Sequence, residues 1–144
     1  MATNPSIWRS IQLEHDGLPL MVRYPDGLDF DMLAARYPDL VVVNHEFTHV
    51  TPNGLPEAEY NDGLFEFDSS IRSAFEHTEQ GSTVLIETYA GIRRYYIYAV
   101  RLVNVAECLA PISHENPQEK LSWEVRSDPD VSFIRNYRRD VLHL

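Results

Sequence analysis

The chain has 144 residues, of which 44% are hydrophobic and 24% charged, and its 12 basic and 22 acidic side chains give a formal net charge of −10. Typical domains have about 100–150 residues, so we expect one soluble globular domain over residues 1–144. An acidic chain repels phosphates and anionic lipids, and this argues against nucleic acids and membranes as partners. The charge is uneven, because residues 1–90 carry 4 basic and 15 acidic side chains.

The sequence predicts a cytoplasmic protein. Residues 1–6 lack a basic patch followed by an apolar core, so no secretory signal is expected. No apolar run approaches the ~20 residues that cross a bilayer. The one cysteine, Cys108, cannot form an internal disulfide, which is typical of a reducing compartment.

The first third of the chain predicts a hairpin, a short helix and a strand. Apolar and β-forming residues at 7–13 and 20–24 flank Asp16-Gly17, a dipeptide suited to a tight turn. A short helix is expected over 30–36, and Pro38 is expected to end it, because the residue before a proline disfavours helical backbone angles. The valine-rich segment 39–48 follows and predicts a strand.

A long amphipathic helix is predicted over 57–79. Pro56 suits the position at which a helix begins, and Gly81 the position after its end. Between them, apolar and small residues recur every three or four positions at Tyr60, Leu64, Phe67, Ile71, Ala74, Phe75 and Thr78.

The remaining elements predict an α+β fold. Residues 83–89 and 92–100 read as a second hairpin, and Asn104 as the cap of a helix that Pro111 ends or kinks. A strand over 121–125 and a helix after Asp128-Pro129 complete the chain. From Asp39 onward this order predicts a ferredoxin-like split βαβ core, with an added N-terminal hairpin and C-terminal helix.

One string resembles a catalytic motif. His45-Glu46-Phe47-Thr48-His49 matches the zinc-hydrolase pattern H-E-x-x-H, in which a helix places both imidazoles on one metal. On the predicted strand, His45 and His49 would lie roughly 13 Å apart and Glu46 would point to the opposite face. A zinc-dependent hydrolase therefore stays the alternative function; the sequence favours a protein that is not an enzyme and has no metal or cofactor.

The acidic helix is the favoured binding element. Seven acidic residues and one arginine lie between Glu57 and Glu79. Such a surface is either solvated or docks a basic protein, for which it would raise the association rate. The partner-binding residues predicted are Glu57, Glu59, Asp62, Glu66, Asp68 and Glu76. A further alternative is a small-ligand site or an oligomerising surface on an exposed sheet face lined by Tyr95, Tyr96 and Tyr98.

The order of motifs resembles a bacterial family described as domain of unknown function 695. The likeness rests on Asp16-Gly17-Leu18-Pro19, Asn53-Gly54-Leu55-Pro56 before the acidic helix, the hairpin of residues 88–98 and Asp128-Pro129. It implies no activity or catalytic residues. It implies a link through domain fusion to a regulator of ribonuclease activity, and hence an inhibitor- or immunity-like domain that restrains a basic nuclease or toxin.

Overall fold

A computed structural model describes residues 7–144, where it shows a mixed α/β fold with a six-stranded antiparallel sheet and five helices. The expectation drawn from residues 1–6 lies outside this range. In chain order the elements are β1 (Trp8–His15), β2 (Leu18–Pro25), α1 (Phe30–Arg36), β3 (Asp39–Glu46), α2 (Ala58–Gly63), α3 (Phe65–Ser73), β4 (Gly81–Tyr89), β5 (Ile92–Ala99), α4 (Val105–Glu115), β6 (Lys120–Ser127) and α5 (Ser132–Asp140).

The sheet has the order β1-β2-β4-β5-β3-β6, and each neighbouring pair is antiparallel. Both predicted hairpins are confirmed. Their two-residue turns have positive φ angles, 51° at Asp16 and 80° at Gly17 in the first and 50° at Ala90 and 85° at Gly91 in the second. Two consecutive positive φ angles match the twist of the flanking strands.

Helices cover both faces of the sheet. Alternate residues of β5 point to opposite faces: Tyr95 and Ile97 pack under α3 and α4, whereas Tyr96 and Tyr98 pack under α1 and α5. The three tyrosines are at most 8% exposed. They therefore belong to two apolar cores, and the proposal that they line a ligand site on an exposed sheet face is wrong.

The predicted single helix over 57–79 is wrong. The segment forms α2, a turn at Leu64, α3, and then further turns from Ala74 to Gln80. Gly63 immediately before the break lowers helix propensity, and the Leu64 N–H bonds to the Asn61 carbonyl at 3.0 Å, the spacing of a tighter turn.

Helix α4 begins as predicted, since the Asn104 side chain accepts a hydrogen bond from the Glu107 N–H at 3.0 Å. It continues to Glu115, so of the two predicted effects of Pro111, an end or a kink, the end is wrong. Pro111 removes one backbone hydrogen bond from the helix. The buried residues Leu109 and Ile112 on either side of it pack in the core and stabilise the helix despite this loss.

Candidate binding site

A polar row crosses the sheet beneath α2 and α3. Cross-strand neighbours from β1 to β6 place Gln12, Met21, Thr88, Arg93, His45 and Leu121 in one line. Thr88, Arg93 and His45 are buried, on a face whose other buried residues form an apolar core. Buried polar groups are destabilising unless they are paired, so the partners of this row identify the site.

Asp68 of α3 is the central partner. Its side chain is 13% exposed and its carboxylate accepts two hydrogen bonds from Arg23 of β2, at 2.7 and 2.9 Å. The Tyr95 hydroxyl donates a third at 2.6 Å, and Arg93 lies 3.5 Å away. Burial acts to raise the pKa of Asp68, but Arg23, Tyr95 and Arg93 outweigh it and hold the pKa below its usual value.

Arg93 connects the helices to two strands. Its guanidinium donates to the Thr88 hydroxyl at 2.9 Å and to the Asn61 side-chain oxygen at 3.2 Å, and its centre lies 5.1 Å from the Phe47 ring. Together, Arg23, Asn61, Asp68, Thr88, Arg93 and Tyr95 form what we call the polar seam. The polar seam joins α2 and α3 to β2, β4 and β5 through charged hydrogen bonds, the stronger kind.

A second buried cluster fastens α2. The His45 Nε2 atom lies 3.0 Å from a Glu119 carboxylate oxygen, and the Tyr60 hydroxyl of α2 donates to the same oxygen. The His45 and Glu119 side chains are 0% and 1% exposed, and the imidazole packs edge-on against Phe47 and Phe67. Burial lowers the pKa of His45, although Glu119 partly offsets the effect. The imidazole is therefore neutral at pH 7.

The zinc-like string lies on a strand and its exit, as the sequence predicted. His45 is buried on β3, Glu46 is exposed, and His49 lies in the following loop against the Tyr60 ring, 5.0 Å between centroids. Within residues 7–144, no three His, Cys, Asp or Glu side chains are grouped so that they could hold a metal ion. His45 instead pairs with the carboxylate of Glu119.

Four of the predicted partner-binding acids share one exposed region. Glu57, Glu59, Asp62 and Glu66 lie on or beside α2 and the start of α3, and none has a basic partner within 4 Å among the residues described. Phe65 among them is 76% exposed. We call these five residues the docking face.

The prediction that Asp68 lies on this exposed surface is wrong, because its carboxylate belongs to the polar seam. Asp68 follows Leu64 by four positions and precedes Ile71 by three, so helical periodicity places it on the inner stripe. Glu76 is exposed, as predicted, but lies in the turns after α3 and accepts a hydrogen bond from the Thr83 N–H at 3.3 Å.

A cleft of about 660 Å³ opens beside the docking face, between α2–α3 and the β1–β2 hairpin. Arg23, Arg93 and Asp68 of the polar seam line it, together with the apolar side chain of Met21. Asp62 and Phe65 belong to both the cleft wall and the docking face. A group held at the docking face can therefore insert a side chain into the cleft.

Sequence reasoning missed Arg23, Arg93 and Glu119 as site residues. Arg93 lies within the predicted second hairpin without a role of its own, and Arg23 and Glu119 belong to no motif. The available signal was weak: Arg93 precedes Tyr95 and Ile97 on the same face of a strand, where an apolar residue is the norm.

His45 gives the fold a dependence on pH. The unfolded imidazole has a pKa near 6.5, and burial holds the folded value lower. The unfolded chain therefore binds the proton first, so this contribution to stability is complete above about pH 6.5 and is lost as the pH falls toward the folded pKa. Between pH 7.5 and 5.5 we expect a loss in the free energy of unfolding of at most about 1.4 kcal/mol, the limit that the unfolded pKa sets.

Urea denaturation at the two pH values measures this loss. His45→Gln removes the titrating group, so its loss between the two pH values is expected to be smaller, whatever its absolute stability. An equal loss in wild type and His45→Gln would contradict the assignment to His45.

The sequence matches the family of unknown function DUF695 over residues 7–137, and the chain therefore belongs to this family. The resemblance seen in the sequence is thus confirmed. Neither the curated proteins nor the solved structures contain a significant match. Among the helices of residues 7–144, none has the length and apolar character to span a bilayer.

Proposed function

We propose that this chain is a binding domain, not an enzyme, that docks a basic protein through the docking face. The observation that carries the proposal is the set of four exposed carboxylates without counter-charges among the described residues, close in sequence to the exposed Phe65. Like charges on neighbouring turns repel one another, and lysine or arginine side chains of a partner would relieve the repulsion.

Phe65 provides an apolar contact that would lengthen the lifetime of the complex. Exposed carboxylates mainly raise the association rate, whereas an aromatic side chain that becomes buried slows dissociation. An apolar or amphipathic side chain of the partner would pack against Phe65 and enter the cleft, whose wall includes Met21 and Leu55.

The polar seam and the Glu119 cluster support this role by holding both helices in place. Asp68 and Asn61 fix α3 and α2 to the sheet, and Tyr60 fixes α2 to Glu119. A face that is rigid before binding loses less conformational entropy in the complex.

The charge of the docking face also suggests what the partner is. A basic nuclease or toxin whose cationic surface is covered would be inhibited, so we infer an inhibitor- or immunity-like role in the cytoplasm.

We also propose that β3, β4, β5 and β6 form a ferredoxin-like core, supported by their antiparallel order β4-β5-β3-β6 and by α3 and α4 packing on one face.

Charge reversal tests the proposal. Changing Glu57, Glu59, Asp62 and Glu66 to Lys is expected to weaken partner binding by about 2–4 kcal/mol, or roughly 30- to 1,000-fold in Kd, because attraction becomes repulsion. The partner is captured from cell extract at low ionic strength, and its Kd is then measured by calorimetry at two salt concentrations.

The matched control changes the same total charge elsewhere, with Glu14, Glu107, Glu115 and Asp130 replaced by Lys; these residues are also exposed and lack ion pairs within the described chain. It is expected to retain most of the affinity. A captured partner that is acidic, or that binds the two variants equally, would overturn the proposal.

A further inference from the structure

Strand β6 forms an open edge of the sheet. It pairs with β3 through eight consecutive residues, from Asp39 opposite Ser127 to Glu46 opposite Lys120, without a bulge. It contains neither proline nor glycine, and seven of its eight residues are exposed. Within residues 7–144, its other side has no strand partner. Long, regular edges of this kind are the ones that pair with another strand.

The edge also exposes apolar side chains. Trp123 and Val125 are 42% and 46% exposed and are paired with the buried Val43 and Val41. Trp123 and Val125 therefore continue the apolar surface of β3 to the edge of the sheet, where a further strand would cover them.

We propose that the occupant of this edge is β6 of a second copy of this chain, paired antiparallel about a two-fold axis to give a continuous twelve-stranded sheet. The axis is perpendicular to the sheet, so each side chain lies opposite a side chain of the second copy on the same face of the sheet. The register of the two strands is then defined by the residue that lies on the axis. With Val125 on the axis, Glu124 of each copy lies opposite Arg126 of the other, giving two opposite-charge pairs around a Val125–Val125 contact.

The registers centred on Trp123 and on Glu124 are less favourable. With Trp123 on the axis, Arg126 of one copy lies opposite Lys120 of the other, and with Glu124 on the axis the two Glu124 carboxylates face each other. Like charges opposite one another are destabilising. At the other edge, β1 offers no such match: with Ile11 on its axis, Arg9 lies opposite Leu13.

Sedimentation velocity tests the proposal on the full chain. The wild type is expected to sediment as a dimer of 16.6 kDa chains, about twice that mass. Glu124→Arg and Arg126→Glu each turn two attractive pairs into repulsive ones and are expected to weaken the dimer about tenfold to a hundredfold. The double variant Glu124→Arg/Arg126→Glu restores both pairs and is expected to restore the dimer.

Two further variants separate this register from general effects. Val125→Lys places like charges on the axis and is expected to give monomers, whereas Glu115→Arg on α4 is expected to leave the dimer intact. Circular dichroism establishes that each variant is folded. A wild type that stays monomeric up to about 1 mM, or a double variant no more dimeric than the single variants, would overturn the proposal.

Discussion

Replacement of Asp68 by alanine is expected to lower the free energy of unfolding by about 3–5 kcal/mol, the usual effect of removing one partner from a buried ion pair. Arg93 would stay buried, and Arg23 half-buried, without the carboxylate, and the Tyr95 hydroxyl would lose its acceptor. Urea denaturation followed by circular dichroism measures the change.

The matched control is Asp62→Ala on the exposed side of the neighbouring helix. Because Asp62 has no ion pair within the described residues, its loss is expected to change stability by no more than about 0.5 kcal/mol. Similar effects of the two substitutions would mean that Asp68 does not hold the polar seam together. The pair also separates two roles of acidic residues: Asp68 supports the fold, whereas Asp62 belongs to the docking face that we propose binds a partner.

Replacement of Glu119 by alanine is expected to cost about 2–4 kcal/mol. One of its oxygens accepts from Tyr60 and pairs with the Nε2 atom of His45, and the Nδ1 atom of His45 has no partner among the described residues. The imidazole would therefore be left buried and unpaired. The loss of stability is expected to be smaller than for Asp68→Ala. Glu119 is buried beside the neutral imidazole of His45, so its removal leaves no buried charge unpaired.

Thermal and urea unfolding measure this second effect, with Glu119→Gln as a variant that keeps an acceptor oxygen and Glu115→Ala as the exposed control. We expect the loss of stability to decrease in the order Glu119→Ala, Glu119→Gln, Glu115→Ala. If Glu119→Ala were as stable as the wild type, the cluster would have no structural role. In that case, the attachment of α2 through Tyr60 would also need revision.

Local chemistry explains what could be predicted from the sequence. The two hairpin turns follow from Asp-Gly and Ala-Gly between β-forming segments, and the rejection of a helical zinc motif follows from the β-branched Val41 to Val43 upstream. For the break at Leu64 the sequence offers only the weak signal of Gly63, because the apolar stripe continues through the break to Phe67 and Ile71.

The site itself depends on contacts between residues far apart in the chain. Asp68 lies 45 residues from Arg23, and His45 lies 74 residues from Glu119. Such pairs follow only from the strand order and register, which no local pattern determines. The buried position of Asp68, in contrast, follows from its spacing to Leu64 and Ile71, and a stricter use of helical periodicity would have placed it correctly.

The unpaired carboxylates of the docking face have an evolutionary consequence. Because Glu57, Glu59, Asp62 and Glu66 make no ion pair with the described residues, substitutions there change stability little. The fold therefore tolerates mutation at these positions, through which, on the proposed function, related chains would acquire different partners, whereas the buried ion pairs of the polar seam constrain any change. Members of this family are accordingly expected to vary most at the docking face and least at Asp68 and Arg93.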